Sequence, residues 1–188
     1  CSLKAAYNYG IGGTRIAHQI EPSYKPRHDL CFCGRAYDLN PDADIISVYG
    51  GINDYMHGDA PFGKDGDSTP ATFCGAVEFL MNLLKTEYPN SKIVFITPAH
   101  CSYEDIVDTL PSPRPEKASD AKPLVDYVDE IKTVGKRHGI PVLDLYRTFS
   151  VDPNNAEDKE KYTADGLHFN DEGHKLLADC IIEFLQSL

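Results

Sequence analysis

The chain alternates between short apolar runs and longer stretches in which apolar positions recur every three or four residues. Short apolar runs bounded by Gly, Pro, Asn and Asp are typical of buried strands. The predicted strands are residues 5–9, 43–49, 92–97 and 141–146. The second of these shows almost no alternation, which is typical of a parallel strand covered on both faces.

The longer stretches predict amphipathic helices, each with one apolar face. One helix is predicted to begin at Thr69-Pro70, because Thr is a favoured N-cap and Pro a favoured first residue. Its apolar face consists of Phe73, Val77, Leu80 and Leu84. The other predicted helices run from about residue 120 to Gly139, with Leu124, Val128 and Ile131 inward, over residues 171–188, and, as shorter pieces, over residues 15–20 and 28–39.

Strands that alternate with helices predict βαβ units, and therefore an α/β fold with a parallel sheet and helices on both faces. The length of 188 residues fits one domain with a sizeable core. Neither an internal repeat nor a linker is visible in the sequence. We therefore expect residues 1–188 to form a single domain.

Composition excludes some classes of partner. The formal net charge is −11 and no basic patch is visible, so nucleic acid and anionic membranes are poor candidate partners. No apolar run approaches the roughly 20 residues that would cross a bilayer. The six cysteines are expected to be mainly buried thiols, and Cys31-Phe32-Cys33 has no second pair to complete a zinc site. Localisation, cytoplasmic or secreted, and oligomeric state stay open.

Three segments carry candidate chemistry. In Asp165-Gly166-Leu167-His168, a tight turn would let the carboxylate hold one ring nitrogen while the other acts as a general base. The sequence Gly51-Ile52-Asn53-Asp54 directly follows a predicted strand, and the carboxyl ends of strands are where α/β proteins bind ligands. The third segment is the glycine-rich run Asn8-Tyr9-Gly10-Ile11-Gly12-Gly13-Thr14.

In their order along the chain and in their spacing, the three segments resemble motif blocks of the SGNH or GDSL hydrolases. The resemblance implies a flavodoxin-like three-layer α/β/α domain and a serine ester hydrolase that works through an acyl-enzyme. It implies that Asp165 and His168 are the acid and base of a triad, and that Gly13 and Asn53 form the oxyanion hole. It further implies an acyl ester substrate, either a lipid or an acylated carbohydrate, and chemistry without cofactor or metal.

The nucleophile is not identified in this sequence. The Gly-Asp-Ser block of the family should precede Gly13 by a strand and a helix, and Ser2 is too close to it. Gly66-Asp67-Ser68 spells the motif, but it lies after Asn53 in a polar loop, so Ser68 is expected to be a loop residue. We expect a strand-plus-serine segment before Cys1, or another polypeptide in its place, for an active and independently stable protein.

Other interpretations are open for several of these residues. The fold could serve as a non-catalytic ligand-binding domain or be an inactive fragment, which the missing nucleophile block favours. The turn at Gly10-Ile11-Gly12-Gly13 could bind phosphate, although it does not complete Gly-x-Gly-x-x-Gly. Asp171 and His174 repeat the Asp-x-x-His spacing and could suggest a metal site, but they are expected to lie in the first turns of the last helix.

Overall fold

The computed structural model describes residues 4–23, 25–57, 59–104 and 122–188. In that part of the chain a parallel sheet has three strands in the order β1 (Ile45–Tyr49), β2 (Lys92–Ile96) and β3 (Val142–Leu143). The register pairs Ile45 with Lys92 and Tyr49 with Ile96, so β1 and β2 end at the same edge. At that shared carboxyl edge the candidate segment Gly51-Ile52-Asn53-Asp54 follows β1.

Helices flank the sheet, and three of them, at residues 52–57, 145–148 and 156–162, were not predicted from the sequence. They are α1 (Phe32–Arg35), α2 (Ile52–His57), α3 (Phe73–Glu87), α4 (Leu124–His138), α5 (Leu145–Thr148), α6 (Ala156–Tyr162) and α7 (Asp171–Gln186). The main core joins the buried faces of α3 and α4 to Ile46, Val48, Ile93 and Phe95 of the sheet. A second cluster joins Leu177 and Phe184 of α7 to Ile96 and Leu143. The protein is therefore an α/β protein with a parallel sheet, as predicted.

Local capping residues set where α3 begins and where α4 ends. The Thr72 hydroxyl accepts a hydrogen bond from the Gly75 N–H, so α3 begins at Phe73 and not at Thr69-Pro70 as predicted. Gly139 ends α4 in the left-handed conformation (φ 66°), as expected for a C-cap glycine. The inward positions of α4, namely Leu124, Val128 and Ile131, are buried as predicted, while its predicted start at residue 120 lies outside the described residues.

The strands are shorter or less buried than their sequences suggest. In β1, Ile46 and Val48 are buried, whereas Ile45, Ser47 and Tyr49 are exposed, so the predicted continuous burial of residues 43–49 is wrong. Residues 141–146 form only the two-residue strand β3 before α5 begins. The reason is that Asp144 caps α5 by accepting a hydrogen bond from the Arg147 N–H.

The N-terminal predictions are also wrong. Residues 5–9 form no strand and are exposed, and residues 15–20 form no helix. The N–H groups of Ile16 and Ala17 donate instead to the two carboxylate oxygens of buried Asp54, both at 2.9 Å. Burial raises the pKa of Asp54 to about 7, whereas its two N–H donors act in the opposite direction. A carboxylate distant in sequence thus replaces the helical hydrogen bonds of this segment.

Residues 28–39, predicted as one helix, are divided into three short helical turns. These are the 3-10 helices Pro26–Asp29 and Ala36–Asp38 on either side of α1. The Cys31 sulfur accepts a hydrogen bond from the Gly34 N–H and caps α1, which separates it from the preceding turn.

Replacing Asp54 with Asn is expected to destabilise the fold by about 1–3 kcal/mol. The amide keeps one acceptor oxygen but presents an N–H group to the second backbone donor, which stays buried and unpaired. Chemical unfolding followed by circular dichroism measures the loss. The matched control is Asp42→Asn, because Asp42 is exposed; equal stabilities of the two variants would contradict the role given to Asp54.

Candidate active site

The segment that carries Asn53 leaves the sheet at the end of β1. Gly50 and Gly51 follow Tyr49, and Gly51 has a φ of 104°, which favours glycine. A Cβ at Gly51 would also lie 3.3 Å from Ile131 and 3.4 Å from Pro98. This turn starts α2 directly beyond the strand, so Asn53 and Asp54 lie in the first turn of a helix at the carboxyl edge of the sheet.

Asn53 contacts the glycine-rich segment. Its side-chain Nδ2 donates a hydrogen bond to the Thr14 carbonyl at 3.1 Å. Gly13, the preceding residue, has a φ of 84°, and a Cβ there would lie 2.7 Å from His28 Nε2. The structure therefore brings Asn53 and the Gly13–Thr14 turn together, and a Cβ at position 13 would have to displace the His28 ring.

Asp165 and His168 form a hydrogen-bonded pair within a turn between α6 and α7. The Asp165 Oδ2 lies 2.8 Å from His168 Nδ1, and its Oδ1 accepts the N–H groups of Leu167 at 2.9 Å and His168 at 2.8 Å. Gly166 supplies the positive φ of the turn (88°). The His168 side chain is 73% exposed, so the ring edge opposite Asp165 is open to solvent.

The same hydrogen bonds set the charge of the carboxylate. Partial burial by itself would raise the pKa of Asp165, but the N–H groups of His168 and Leu167 and the His168 ring outweigh it and hold that pKa below its usual value. Asp165 is therefore ionised at neutral pH and can hold the Nδ1–H form of the ring.

The serines near these groups do not pair with the histidine. Across residues 4–23, 25–57, 59–104 and 122–188, no serine hydroxyl is hydrogen-bonded to His168. Ser68 is exposed in the loop before α3, where the neighbouring Asp67 accepts from the Lys64 N–H and the Thr72 hydroxyl. Ser2 lies outside the described residues.

Sequence reasoning missed how the Asp165–His168 turn is held. The Tyr103 hydroxyl donates to the Asp165 carbonyl at 2.7 Å, and the Ser102 N–H donates to the Gly166 carbonyl at 2.9 Å. Tyr103 is not among the residues that the sequence assigned to the site. The signal available in the sequence was only its place shortly after β2, at the same edge as Asn53.

The second Asp-x-x-His pair does not repeat this arrangement. Asn170 caps α7 by accepting the N–H groups of Glu172 and Gly173, and His174 is exposed with its ring 6.1 Å from that of Phe169. No cluster of three or more His, Cys, Asp or Glu side chains that could hold a metal ion occurs among the residues the structure describes. Within those residues, too, none of the helices is long and apolar enough to span a membrane.

The described cysteines are free thiols, as predicted. Cys31, Cys33, Cys74 and Cys101 are buried, and Cys180 is half-buried. Burial raises the pKa of Cys74 to about 12 and that of Cys101 to about 11, so both thiols are protonated at neutral pH. They pack as small apolar side chains and offer no thiolate nucleophile.

Solved structures share this fold. A protein from Lactobacillus plantarum is 30% identical, with a TM-score of 0.79 over 96% of this chain and 80% of its own. A protein from Bacteroides uniformis described as a GDSL-like lipase is 21% identical, with a TM-score of 0.61 over 94% of this chain and 67% of its own. The acetyl xylan esterase AlAXEase is 20% identical, with a TM-score of 0.56 over 93% and 77%. The last two similarities concern the fold alone.

Sequence comparison gives the family. None of the curated proteins compared with the chain matches it. The model of the GDSL-like Lipase/Acylhydrolase family matches residues 2–176, which is most of the 188 residues. This match includes the glycine-rich turn, Asn53 and the Asp165–His168 pair, and the chain therefore belongs to the GDSL-like lipase/acylhydrolase family, also called SGNH hydrolases.

Proposed function

We propose that the protein is a serine ester hydrolase in which His168 is the general base and Asp165 orients it. The observation that carries this proposal is the Asp165 carboxylate, which receives His168 Nδ1 at 2.8 Å while two backbone N–H groups fix its second oxygen. An imidazole held at Nδ1 has Nε2 free to take a proton from a hydroxyl. The open ring edge of His168 leaves space for that hydroxyl and for a substrate.

The reaction proceeds in two steps. His168 Nε2 takes the proton of a serine hydroxyl as its oxygen attacks the ester carbonyl, and then gives the proton to the departing alcohol. Water, activated by the same nitrogen, attacks the resulting acyl-enzyme and releases the acid. Asp165 stays ionised throughout and stabilises the transient imidazolium. The chemistry uses neither cofactor nor metal, and the position of the nucleophilic serine is unassigned.

Gly13 and Asn53 are assigned to the oxyanion hole. An amide NH₂ group has two donors. The Asn53 Nδ2 uses one of them on the Thr14 carbonyl at 3.1 Å, which fixes its plane and leaves the second N–H for the developing oxyanion. Thr14 directly follows Gly13, so this contact supports a shared role for the Asn53 amide and the Gly13 N–H. Two donors fixed before the reaction are the arrangement that stabilises a tetrahedral intermediate.

The substrate is proposed to be a small-molecule acyl ester, either a lipid or an acylated carbohydrate, with a mild preference for short acyl groups such as acetyl. The segments that would select among these are the loop before α3 and the loop after β2, of which residues 105–117 lie outside the described part. Gly13, Asn53, Asp165 and His168 would occupy a single domain of the flavodoxin-like three-layer type.

The alternative is a ligand-binding domain of the same fold without catalysis. The observation that favours it is that no described serine pairs with His168. Labelling with a fluorophosphonate separates the two functions, because only an activated serine reacts. Stoichiometric labelling would support the hydrolase and identify its nucleophile, whereas a folded protein that stays unlabelled would support the binding domain.

Replacing His168 with Ala is expected to lower kcat for nitrophenyl acetate by about a thousandfold or more, because the general base is removed. Folding should be unaffected, since the ring is mostly exposed. The matched control is His174→Ala, which alters the other Asp-x-x-His sequence at an exposed position of α7. Equal losses in both variants would contradict the role of His168.

Replacing Asn53 with Ala is expected to reduce kcat by about 10²–10³ with little change in KM, because the lost donor acts on the transition state. Steady-state kinetics with the same ester measure the effect. Asn82→Ala, at an exposed position of α3, serves as the control. A variant that raised only KM would show that Asn53 binds substrate rather than the oxyanion.

Replacing Ser68 with Ala is expected to leave turnover within about twofold of the wild-type rate. The residue is exposed in a polar loop and does not follow a strand. A loss of about a thousandfold, as for removal of a nucleophile, would show instead that Gly66-Asp67-Ser68 is the catalytic motif.

A further inference from the structure

The turn that carries Asp165 and His168 is here called the acid–base turn. It is hydrogen-bonded to residues 102–104, here called the brace. Ser102 donates its N–H to the Gly166 carbonyl at 2.9 Å, and the Tyr103 hydroxyl donates to the Asp165 carbonyl at 2.7 Å. The contact is close, because a Cβ at Gly166 would lie 2.4 Å from the Ser102 hydroxyl oxygen. Both consecutive carbonyls at the centre of the turn are therefore bound to the brace.

The brace is itself fixed through Glu104. Its Oε1 accepts the Cys101 N–H at 2.9 Å and lies 2.9 Å from His100 Nδ1, and its Oε2 accepts the Tyr146 hydroxyl at 2.8 Å. The His100 and Tyr146 rings contact each other in a tilted arrangement, with centroids 3.9 Å apart. The segment after β2 is thereby locked onto α5.

The brace also reaches the helix that carries Asn53. The Tyr55 hydroxyl donates to the Glu104 carbonyl at 2.7 Å, and Tyr55 is buried two residues beyond Asn53 in α2. Its ring packs edge-on against Tyr127 of α4, with centroids 5.8 Å apart, so its position is fixed by the core. A continuous set of contacts thus runs from α2 through Glu104 and Tyr103 to Asp165.

The exposed pair has need of such support. The side chains of His168 and Asp165 are 73% and 47% exposed, so little packing restrains these two side chains themselves. Catalytic groups must be held close to their productive geometry, because a displacement of about 1 Å can cost about a hundredfold in rate. Hydrogen bonds to the backbone of the turn supply the restraint that burial does not.

We propose that Tyr103 is a positioning residue, which acts through the Asp165 carbonyl to set where His168 lies relative to Asn53. The proposal rests on the proposed function for its kinetic consequence, but the placement of the His168 ring is independent of activity. Tyr55 connects the brace to α2, which carries Asn53, through its hydrogen bond to the Glu104 carbonyl. Tyr103 does not enter the chemistry, and its ring is required only as the support of its hydroxyl.

The decisive variant is Tyr103→Phe in the full chain, which keeps the ring and removes the hydroxyl. The Nδ1–H tautomer of His168, followed at alkaline pH by ¹H–¹⁵N correlation of the ring nitrogens, is expected to change to a mixture of both tautomers. kcat is expected to fall about tenfold with KM within about twofold. The thermal midpoint should move by less than about 4 °C, because only one partly exposed hydrogen bond is lost.

Two further variants are compared with Tyr103→Phe. Tyr37→Phe, at an exposed tyrosine outside this set of contacts, should match the wild type in every measurement. Tyr55→Phe should lower kcat in the same direction as Tyr103→Phe. An unchanged His168 tautomer in a folded Tyr103→Phe protein would overturn the proposal. If the wild type hydrolyses no ester, the proposed function fails, and the tautomer measurement alone decides the role of Tyr103.

Discussion

Hydrogen bonds to the Asp54 carboxylate are the interaction on which the proposed oxyanion hole, Gly13 and Asn53, depends. It lies in the first turn of α2, directly after Asn53, and takes the N–H groups of Ile16 and Ala17, both at 2.9 Å. Asp59 does the same for Ile20 at 3.1 Å and Glu21 at 2.8 Å. A segment without regular secondary structure would otherwise leave these N–H groups unpaired, at a cost of roughly 1–3 kcal/mol for each buried one. Its fixed path places Gly13 and Thr14 against Asn53.

Several features set by neighbouring residues could be predicted from sequence, whereas the features set by distant ones could not. The strand before Gly50 and Gly51, the apolar faces of α3 and α4 and the cap at Gly139 follow from local periodicity and turn chemistry. The predicted helix over residues 15–20 failed because its N–H groups find acceptors 37 to 39 residues away. The alternation in β1 depends on what covers each face of the sheet, which a run of apolar residues does not reveal.

The same difference between local and distant partners applies to the candidate site. Asp165 and His168 are three residues apart, so the sequence alone could suggest their hydrogen bond. Tyr103 meets Asp165 across 62 residues, and Tyr146 meets Glu104 across 42, with nothing in their local sequence to mark them. A family pattern points to the residues proposed to meet the reacting atoms, whereas the residues that hold them follow from how this chain packs at the carboxyl edge.

The buried thiols can report where the fold opens locally. Cys33 lies in α1, Cys74 at the start of α3 and Cys101 just beyond β2, so the three sulfurs report on three different elements. A protonated, enclosed thiol reacts with an alkylating reagent only when its surroundings separate. The relative rates at which the three become modified therefore rank the local opening free energies of the helical layer and of the segment that leads to the brace, without any engineered probe.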